Sequence, residues 1–318
     1  MKNAMKNNPL PLTQSQLSLW TGQQLNPNVP LYNMAHTFDI KGNLDTDHFT
    51  LAFAELVHRV DIMRTIFTEI DSIPQQHVLQ EYKYSLPILD FSSKTEAEIQ
   101  TWLKNRSQVN FDFSKPLFDS LLLKVDVQRH IWFLNIHHLV TDATASTILY
   151  NLLIELYRHS LDSTLEKFRE IPQFSEYVAF EAKQKKSDNH EVITEQWSSK
   201  LAKLTKVPEF YGRKNDDSSS RAKRIRLDLG LTRTQKLKEL AQQSEIRSWT
   251  QDLTHFNLLA TTLFIFMNRV TGQQNLAIGA PSHNRPTKNF KQTPGLFIEV
   301  FPLLAEFESN DTYASVLD

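Results

Sequence analysis

The sequence predicts a mixed α/β protein built as two lobes, and three observations predict it. Stretches in which apolar and polar residues alternate, as in strands, are interleaved with stretches whose apolar residues recur at helical spacing. Two polar stretches at residues 183–190 and 212–221 separate an earlier set of such elements from a later set. We therefore expect an N-terminal lobe over residues 1–185 and a C-terminal lobe over residues 186–318.

The elements expected in the first lobe follow from capping residues and periodicity. Thr13 is a side chain that can cap a short helix, and Asp45 or Thr46 can do the same for the next helix. Alternation and helical spacing then predict, in order, a strand at 32–40, a helix at 44–59, a strand at 63–67, strands at 117–127 and 130–138 joined by a tight turn at Gln128 and Arg129, and a helix from Thr141.

The second lobe is expected to contain fewer elements. The same patterns predict a strand at 223–229, a helix at 232–243, a long apolar helix at 253–270, and strands at 276–280 and 297–304. No internal repeat is present.

The composition excludes several classes of function. With 35 basic and 36 acidic side chains, the chain offers no electrostatic reason to bind nucleic acid or an anionic membrane. The absence of cysteine excludes disulfides, thiolate metal sites and cysteine nucleophiles. No glycine-rich phosphate-binding motif occurs. No segment resembles a signal peptide or is apolar enough to span a bilayer, so a cytoplasmic location is expected.

The chemically most informative stretch is His137-His138-Leu139-Val140-Thr141-Asp142. Successive strand side chains point to opposite faces, so only one of the two imidazoles can serve a given site. Asp142 is placed to cap the helix that follows. Acyl transfer needs a group that accepts the nucleophile's proton or stabilises the charge that develops on it, and histidine, with an unperturbed pKa of about 6.5, suits either role. Since no serine or cysteine elbow is present, direct attack is favoured over an acyl-enzyme.

Two other interpretations of this stretch remain open at the level of the residues. A histidine pair at the end of a strand is often structural. A zinc site is a further alternative, although no third ligand occurs at a spacing typical of metal sites.

Several short segments carry a resemblance to one family, in the family's order. They read LTQSQLSLW at 12–20, YN at 32–33, RVDIMRTIF at 59–67, HHLVTD at 137–142, FSEYVAF at 174–180, GAPSHNR at 279–285 and GLFIEV at 295–300. Taken together they resemble the condensation domains of nonribosomal peptide synthetases, within the chloramphenicol-acetyltransferase-like superfamily. The resemblance extends from Leu10 to the end of the sequence.

The resemblance implies a fold of two chloramphenicol-acetyltransferase-like lobes and assigns roles to five residues. His138 would be the catalytic histidine, facing a tunnel between the lobes, while His137 is held inside the fold. Asp142 would be structural and paired with Arg285, and Arg64 would brace the same region. The implied reaction joins an acyl or peptidyl thioester to the amine of an aminoacyl thioester. Both are bound to the phosphopantetheine arms of carrier proteins in adjacent synthetase modules. No cofactor or metal is therefore expected in this chain itself.

The sequence also departs from the family pattern. Ala143 and Ala145 replace a glycine and a serine, Val60 replaces a histidine, and Glu299 replaces an asparagine. We expect Glu299 to influence substrate preference. Family members continue well beyond the last motif found here, so the second lobe is expected to be incomplete, with an unpaired sheet edge.

Three functions therefore stand as hypotheses. The first is a condensation domain, with a domain that starts a synthesis as one variant of it. The others are a stand-alone acyltransferase that uses coenzyme A thioesters and a non-catalytic truncated remnant. An epimerisation domain is disfavoured because no tryptophan follows Asp142 closely, and a heterocyclisation domain because its first motif histidine would be aspartate.

Overall fold

The computed structural model describes residues 9–185, 189–212, 223 and 225–317. The chain forms two compact units, of which the first comprises Met1–Ser187 with Ser282–Glu299 and the second Asp188–Pro281 with Val300–Asp318. A segment late in the sequence thus belongs to the first unit. The lobe boundaries expected from the sequence, 1–185 and 186–318, stay a prediction.

The first unit combines helices with two sheets. Its elements are β1 (Leu10–Pro11), α1 (Gln14–Leu25), β2 (Asn33–Lys41), α2 (Thr46–Arg59), β3 (Thr65–Ile70), β4 (Ile73–Val78), β5 (Ile88–Asp90), α3 (Glu96–Ser107), β6 (Phe118–Asp126), β7 (Arg129–His137), α4 (Ala143–Leu161) and α5 (Phe174–Gln184). One sheet has the order β2-β7-β6-β5 and the other the order β1-β4-β3. The first sheet positions the histidine pair, because antiparallel pairing sets Asn33 of β2 opposite His137 at the end of β7.

The core of the first unit explains why these segments fold. Helices α2 and α4 bury their apolar stripes, including Phe53 and Leu149, against the face of β7 that carries Trp132 and Ile136. These side chains are at most 1% exposed, and burying each contributes about 1.5–3 kcal/mol. Residues 138–142 connect β7 to α4, and both of these elements are packed in the core.

The second unit is smaller. Its elements are α6 (Asn189–Leu201), α7 (Gly230–Leu240), α8 (Gln251–Thr271), β8 (Asn275–Ser282), β9 (Glu299–Glu306) and α9 (Tyr313–Leu317), although the end residues Ser282 of β8 and Glu299 of β9 belong to the first unit. Within the described residues, β8 and β9 form a two-stranded sheet. Helix α8 packs Phe264 and Met267 into a cluster with Leu276 and Phe307. On another side of α8, Leu259, Leu263 and Phe266 are exposed.

The mixed α/β class is confirmed, and most elements lie where the sequence predicts them. The strand expected at 223–229 is wrong, because residues 225–229 form no strand and pair with no other segment of the described chain. Ile225 is 88% exposed and Leu227 77%, so alternation alone did not create a buried face.

Several boundaries also differ by a few residues. The strand expected at 63–67 begins at Thr65, after a single 3-10 turn at Asp61–Arg64. Strand β7 ends at His137, so His138 lies in the turn that follows rather than in the strand. The hairpin turn is formed by Val127 and Gln128, one residue earlier than expected. Among the described residues, no helix is both long enough and apolar enough to cross a membrane.

Candidate active site

The carboxylate of Asp142 organises the region, and it is 2% exposed. As the N-cap of α4 it accepts a hydrogen bond from the Ala145 amide through Oδ1 at 2.7 Å. Its Oδ2 accepts hydrogen bonds from the Phe297 and Ile298 amides at 3.0 and 3.2 Å. A single side chain therefore ties the start of α4 to a segment more than 150 residues later in the chain.

Arg285 supplies the counter-charge. Its Nη2 lies 3.1 and 3.2 Å from the two carboxylate oxygens of Asp142, and the arginine is 8% exposed. Its Nη1 donates to the carbonyls of Phe290 and Thr293 at 2.7 and 2.6 Å, and its guanidinium lies 4.0 Å from the ring centroid of Phe297. Burial lowers the pKa of Arg285 and Asp142 opposes that shift, so the guanidinium stays charged.

His138 is half-buried in a 3-10 turn formed by His138–Val140. Its backbone amide donates to the Tyr32 carbonyl at 2.8 Å, and its Nδ1 lies 2.7 Å from the Thr141 carbonyl oxygen. A carbonyl only accepts, so Nδ1 carries the proton of the neutral ring. The lone pair is consequently on Nε2, the ring atom that can accept a hydrogen bond or a proton.

His137 has the opposite tautomer and is 2% exposed. Its Nδ1 accepts the Leu139 amide at 3.1 Å, so its proton lies on Nε2, 3.3 Å from Oε1 of Gln23. Burial, and secondarily the neighbouring charge of His138, lowers the pKa of His137 to about 4. This imidazole is therefore neutral near pH 7 and its ring nitrogens are both engaged.

Arg64 is the one predicted site residue whose described hydrogen bonds lie outside the region around Asp142 and His138. It is 4% exposed, and it donates hydrogen bonds to the carbonyls of Val57, Leu79 and Gln80. None of its described hydrogen bonds reaches Asp142 or His138, whereas Asp142 and Arg285 are brought into direct contact. Arg64 joins the end of α2 to the segment after β4.

Tyr177 and Glu299 form the edge of the region within the first unit. The Tyr177 hydroxyl, in a residue 3% exposed, accepts a hydrogen bond from Nδ2 of Asn284 at 2.8 Å. Glu299 is half-buried and lies 3.4 Å from the Ser15 hydroxyl. Burial, followed by the charge of Glu181, raises the pKa of Glu299. Glu299, one of the residues that depart from the family pattern, therefore lies next to a residue of the first motif.

Sequence reasoning missed several contributors. Asp61 accepts the amides of Phe174 and Ser175 at 2.9 Å, which caps the start of α5. Gln16 and Gln23 hydrogen bond to the 137–139 segment from α1. A usable signal for the glutamines was their seven-residue separation on a helix, which sets both on the same face as Trp20.

Comparisons with known proteins identify the family. A family model described as Condensation domain matches residues 6–318. Bacitracin synthase 2 of Bacillus licheniformis is 25% identical over 302 residues, which cover 94% of this chain and 11% of that protein. Chondramide synthase cmdD of Chondromyces crocatus is 28% identical over 317 residues, which cover 97% of this chain and 8% of that protein. The chain thus spans a small part of these relatives.

Solved structures share the fold. The first condensation domain of the calcium-dependent antibiotic synthetase, in complex with a substrate analogue, superposes with a TM-score of 0.79 at 22% identity, covering 98% of this chain and 73% of that chain. A four-domain nonribosomal peptide synthetase bound to AMP and glycine gives a TM-score of 0.79 at 16% identity, covering 98% of this chain and 23% of that chain.

Proposed function

Because the chain belongs to the condensation-domain family, we propose that it forms an amide bond in nonribosomal peptide synthesis. The donor is an acyl or peptidyl thioester and the acceptor is the amine of an aminoacyl thioester. Both are carried on the phosphopantetheine arms of carrier proteins in adjacent synthetase modules. These partners supply the thioester chemistry, and the chain itself needs no metal or cofactor for the step.

The observation that carries the proposal is the fixed tautomer of His138. With Nδ1–H donating to the Thr141 carbonyl at 2.7 Å, Nε2 offers a lone pair in a constant orientation. The amine nitrogen attacks the thioester carbonyl, and Nε2 of His138 accepts a hydrogen bond and then the proton that the amine loses. The C–N bond forms, the C–S bond breaks, and the proton passes to the leaving thiolate.

The other predicted site residues act on His138 indirectly. The Asp142–Arg285 ion pair fixes the start of α4 directly after the His138 turn. His137, neutral and buried, holds the Leu139 amide and so shapes the same turn. Arg64, expected to brace the same region, braces the end of α2 against the segment after β4.

The expected partners and setting follow from the proposed chemistry. Carrier proteins are expected to present their thioesters to His138, in the cytoplasm, and neither nucleic acid nor a membrane is expected to take part. We also propose that residues 1–185 and 186–318 correspond to the two lobes of the family. Acyl-CoA use without a carrier protein is the alternative activity.

The test is an amide-forming assay with acyl- and aminoacyl-loaded carrier proteins and intact-mass detection of the product. His138→Ala is the informative variant, and His58→Ala, an exposed histidine on α2, is the matched control. We expect product from the unchanged chain and from His58→Ala, and none above background from His138→Ala. Product formed from free acyl-CoA as readily as from the loaded carrier would favour the alternative acyltransferase. A folded chain that makes no product would favour the non-catalytic remnant.

A further inference from the structure

Helix α1 turns an unusual set of side chains toward the interior. Its buried residues are Gln16, Trp20 and Gln23, spaced by four and three positions on one face of the helix. Gln16 is 0% exposed and Gln23 6%. A buried amide is costly unless it is hydrogen bonded, so each glutamine must have a function in the packing of this helix.

Both polar backbone groups of Leu139, the residue directly after His138, connect to these glutamines. The Leu139 carbonyl accepts a hydrogen bond from Nε2 of Gln16 at 3.2 Å. The Leu139 amide donates to Nδ1 of His137 at 3.1 Å, and Nε2 of that histidine donates to Oε1 of Gln23 at 3.3 Å. Leu139 is itself 0% exposed, so water cannot replace either bond.

A second layer holds Gln16 in place. Gln16 and Gln76 exchange two amide–amide hydrogen bonds, of 3.1 and 2.9 Å. Oε1 of Gln16 also accepts the Thr13 amide at 3.0 Å, and Nε2 of Gln76 donates to the Pro11 carbonyl at 2.8 Å. All four N–H groups of the two side-chain amides are therefore used, and a fully satisfied buried network of this kind is rigid.

Gln23 is anchored independently of that pair. Its Nε2 donates to the carbonyls of Asn26 and Val29, at 2.8 and 3.0 Å, just beyond the end of α1. This leaves Oε1 of Gln23 directed at His137. The two glutamines thus reach the 137–139 segment from separately fixed positions on one helix.

We propose that Gln16 and Gln23 form a clamp on α1 that positions His138 by holding the backbone of Leu139. They are positioning residues, since neither touches the reacting atoms. The consequence for turnover rests on the proposed function, whereas the effect on the His138 ring does not. A shift of the 138–140 turn moves Nε2, and a displacement of about 1 Å costs about 100-fold in rate when geometry controls the reaction.

The experiment compares Gln16→Met and Gln23→Met with Gln76→Met. The last variant breaks the same buried network with the same change of side chain, but Gln76 has no described hydrogen bond to Leu139. We expect Gln16→Met and Gln23→Met to lower kcat about tenfold or more with little change in KM. Gln76→Met should lose as much thermal stability as Gln16→Met but keep kcat within about threefold, because Gln16 retains its own hydrogen bonds to the Thr13 amide and the Leu139 carbonyl. Equal kcat values in Gln16→Met and Gln76→Met would overturn the clamp.

A spectroscopic readout separates failure of the clamp from failure of the proposed function. The ring nitrogen shifts of His138, assigned by their loss in His138→Ala, should report a single Nδ1–H tautomer in the unchanged chain and in Gln76→Met. The clamp variants should show averaging of the two tautomers. Unchanged His138 shifts in both clamp variants would contradict the inference even if the chain forms no amide. Should Gln16→Met fail to fold, Gln23→Met alone carries the comparison.

Discussion

Replacing Asp142 by asparagine tests how much of the first unit depends on one buried carboxylate. The substitution keeps the size of the side chain but removes the charge opposite Arg285, which is 8% exposed. The new amide has one acceptor oxygen, so its NH₂ group must face either the Ala145 amide or the Phe297 and Ile298 amides, all of which are donors. At least one donor loses its acceptor.

The magnitude follows from the burial of the ion pair. Removing one partner of a buried pair costs about 3–5 kcal/mol, because it leaves an uncompensated charge. The carbonyls of Phe290 and Thr293 still accept hydrogen bonds from Arg285, which favours the lower end, so we expect a loss of about 3 kcal/mol. Loosening at the N-terminus of α4 should also lower kcat in the amide-forming assay.

The assay is urea unfolding followed by tryptophan fluorescence, with Asp119→Asn as the matched control. Asp119 forms a bidentate ion pair with Arg106, whose side chain is 43% exposed, and such surface pairs contribute about 0–1 kcal/mol. The double variant Asp142→Asn with Arg285→Met should be less unstable than the sum of the single variants, because no buried charge is then left unpaired. An Asp142→Asn variant that loses no more than Asp119→Asn would refute this reasoning.

Two further predictions concern pH and backbone geometry. The pKa of His137 is about 4 in the folded chain and 6.5 in the unfolded chain. As pH falls, the unfolded state therefore binds a proton before the folded state does. About 3 kcal/mol of the free energy of unfolding, present above pH 6.5, should be lost between pH 6.5 and 4. Unfolding measured across that range should show His137→Asn to be less pH-dependent, and an unchanged slope would contradict the shift. Gly295 has φ +151°, and an added Cβ would lie 2.1 Å from the Phe174 ring, whereas Gly42, with φ +107°, has nothing within 4 Å. Gly295→Ala should therefore lower thermal stability by about 2 kcal/mol more than Gly42→Ala, and equal losses would count against the packing of Phe174.

Helix-capping residues and strand periodicity allowed part of the site to be predicted from the sequence. Thr13 and Asp142 are recognisable caps because a short polar side chain precedes an apolar helical stripe, and both act as N-caps. Strand alternation predicted that only one of His137 and His138 serves a given site, but β7 ends at His137, so alternation does not set the direction of His138. These features depend on neighbours within a few residues.

Long-range contacts were harder to predict. The partnership of Asp142 with Arg285 spans 143 residues and came from the family resemblance alone. The strand expected at 223–229 failed because alternation specifies a face but not a partner strand. The buried glutamines were missed because glutamine on a helix usually indicates a solvent-exposed position.

The most direct test of the central claim is the yield of amide from loaded carrier proteins, with and without the His138 imidazole. The account predicts product from the unchanged chain and from His58→Ala, and its loss in His138→Ala while the variant keeps its thermal stability. Full product from a folded His138→Ala variant would contradict the claim that Nε2 of this histidine receives the proton of the attacking amine.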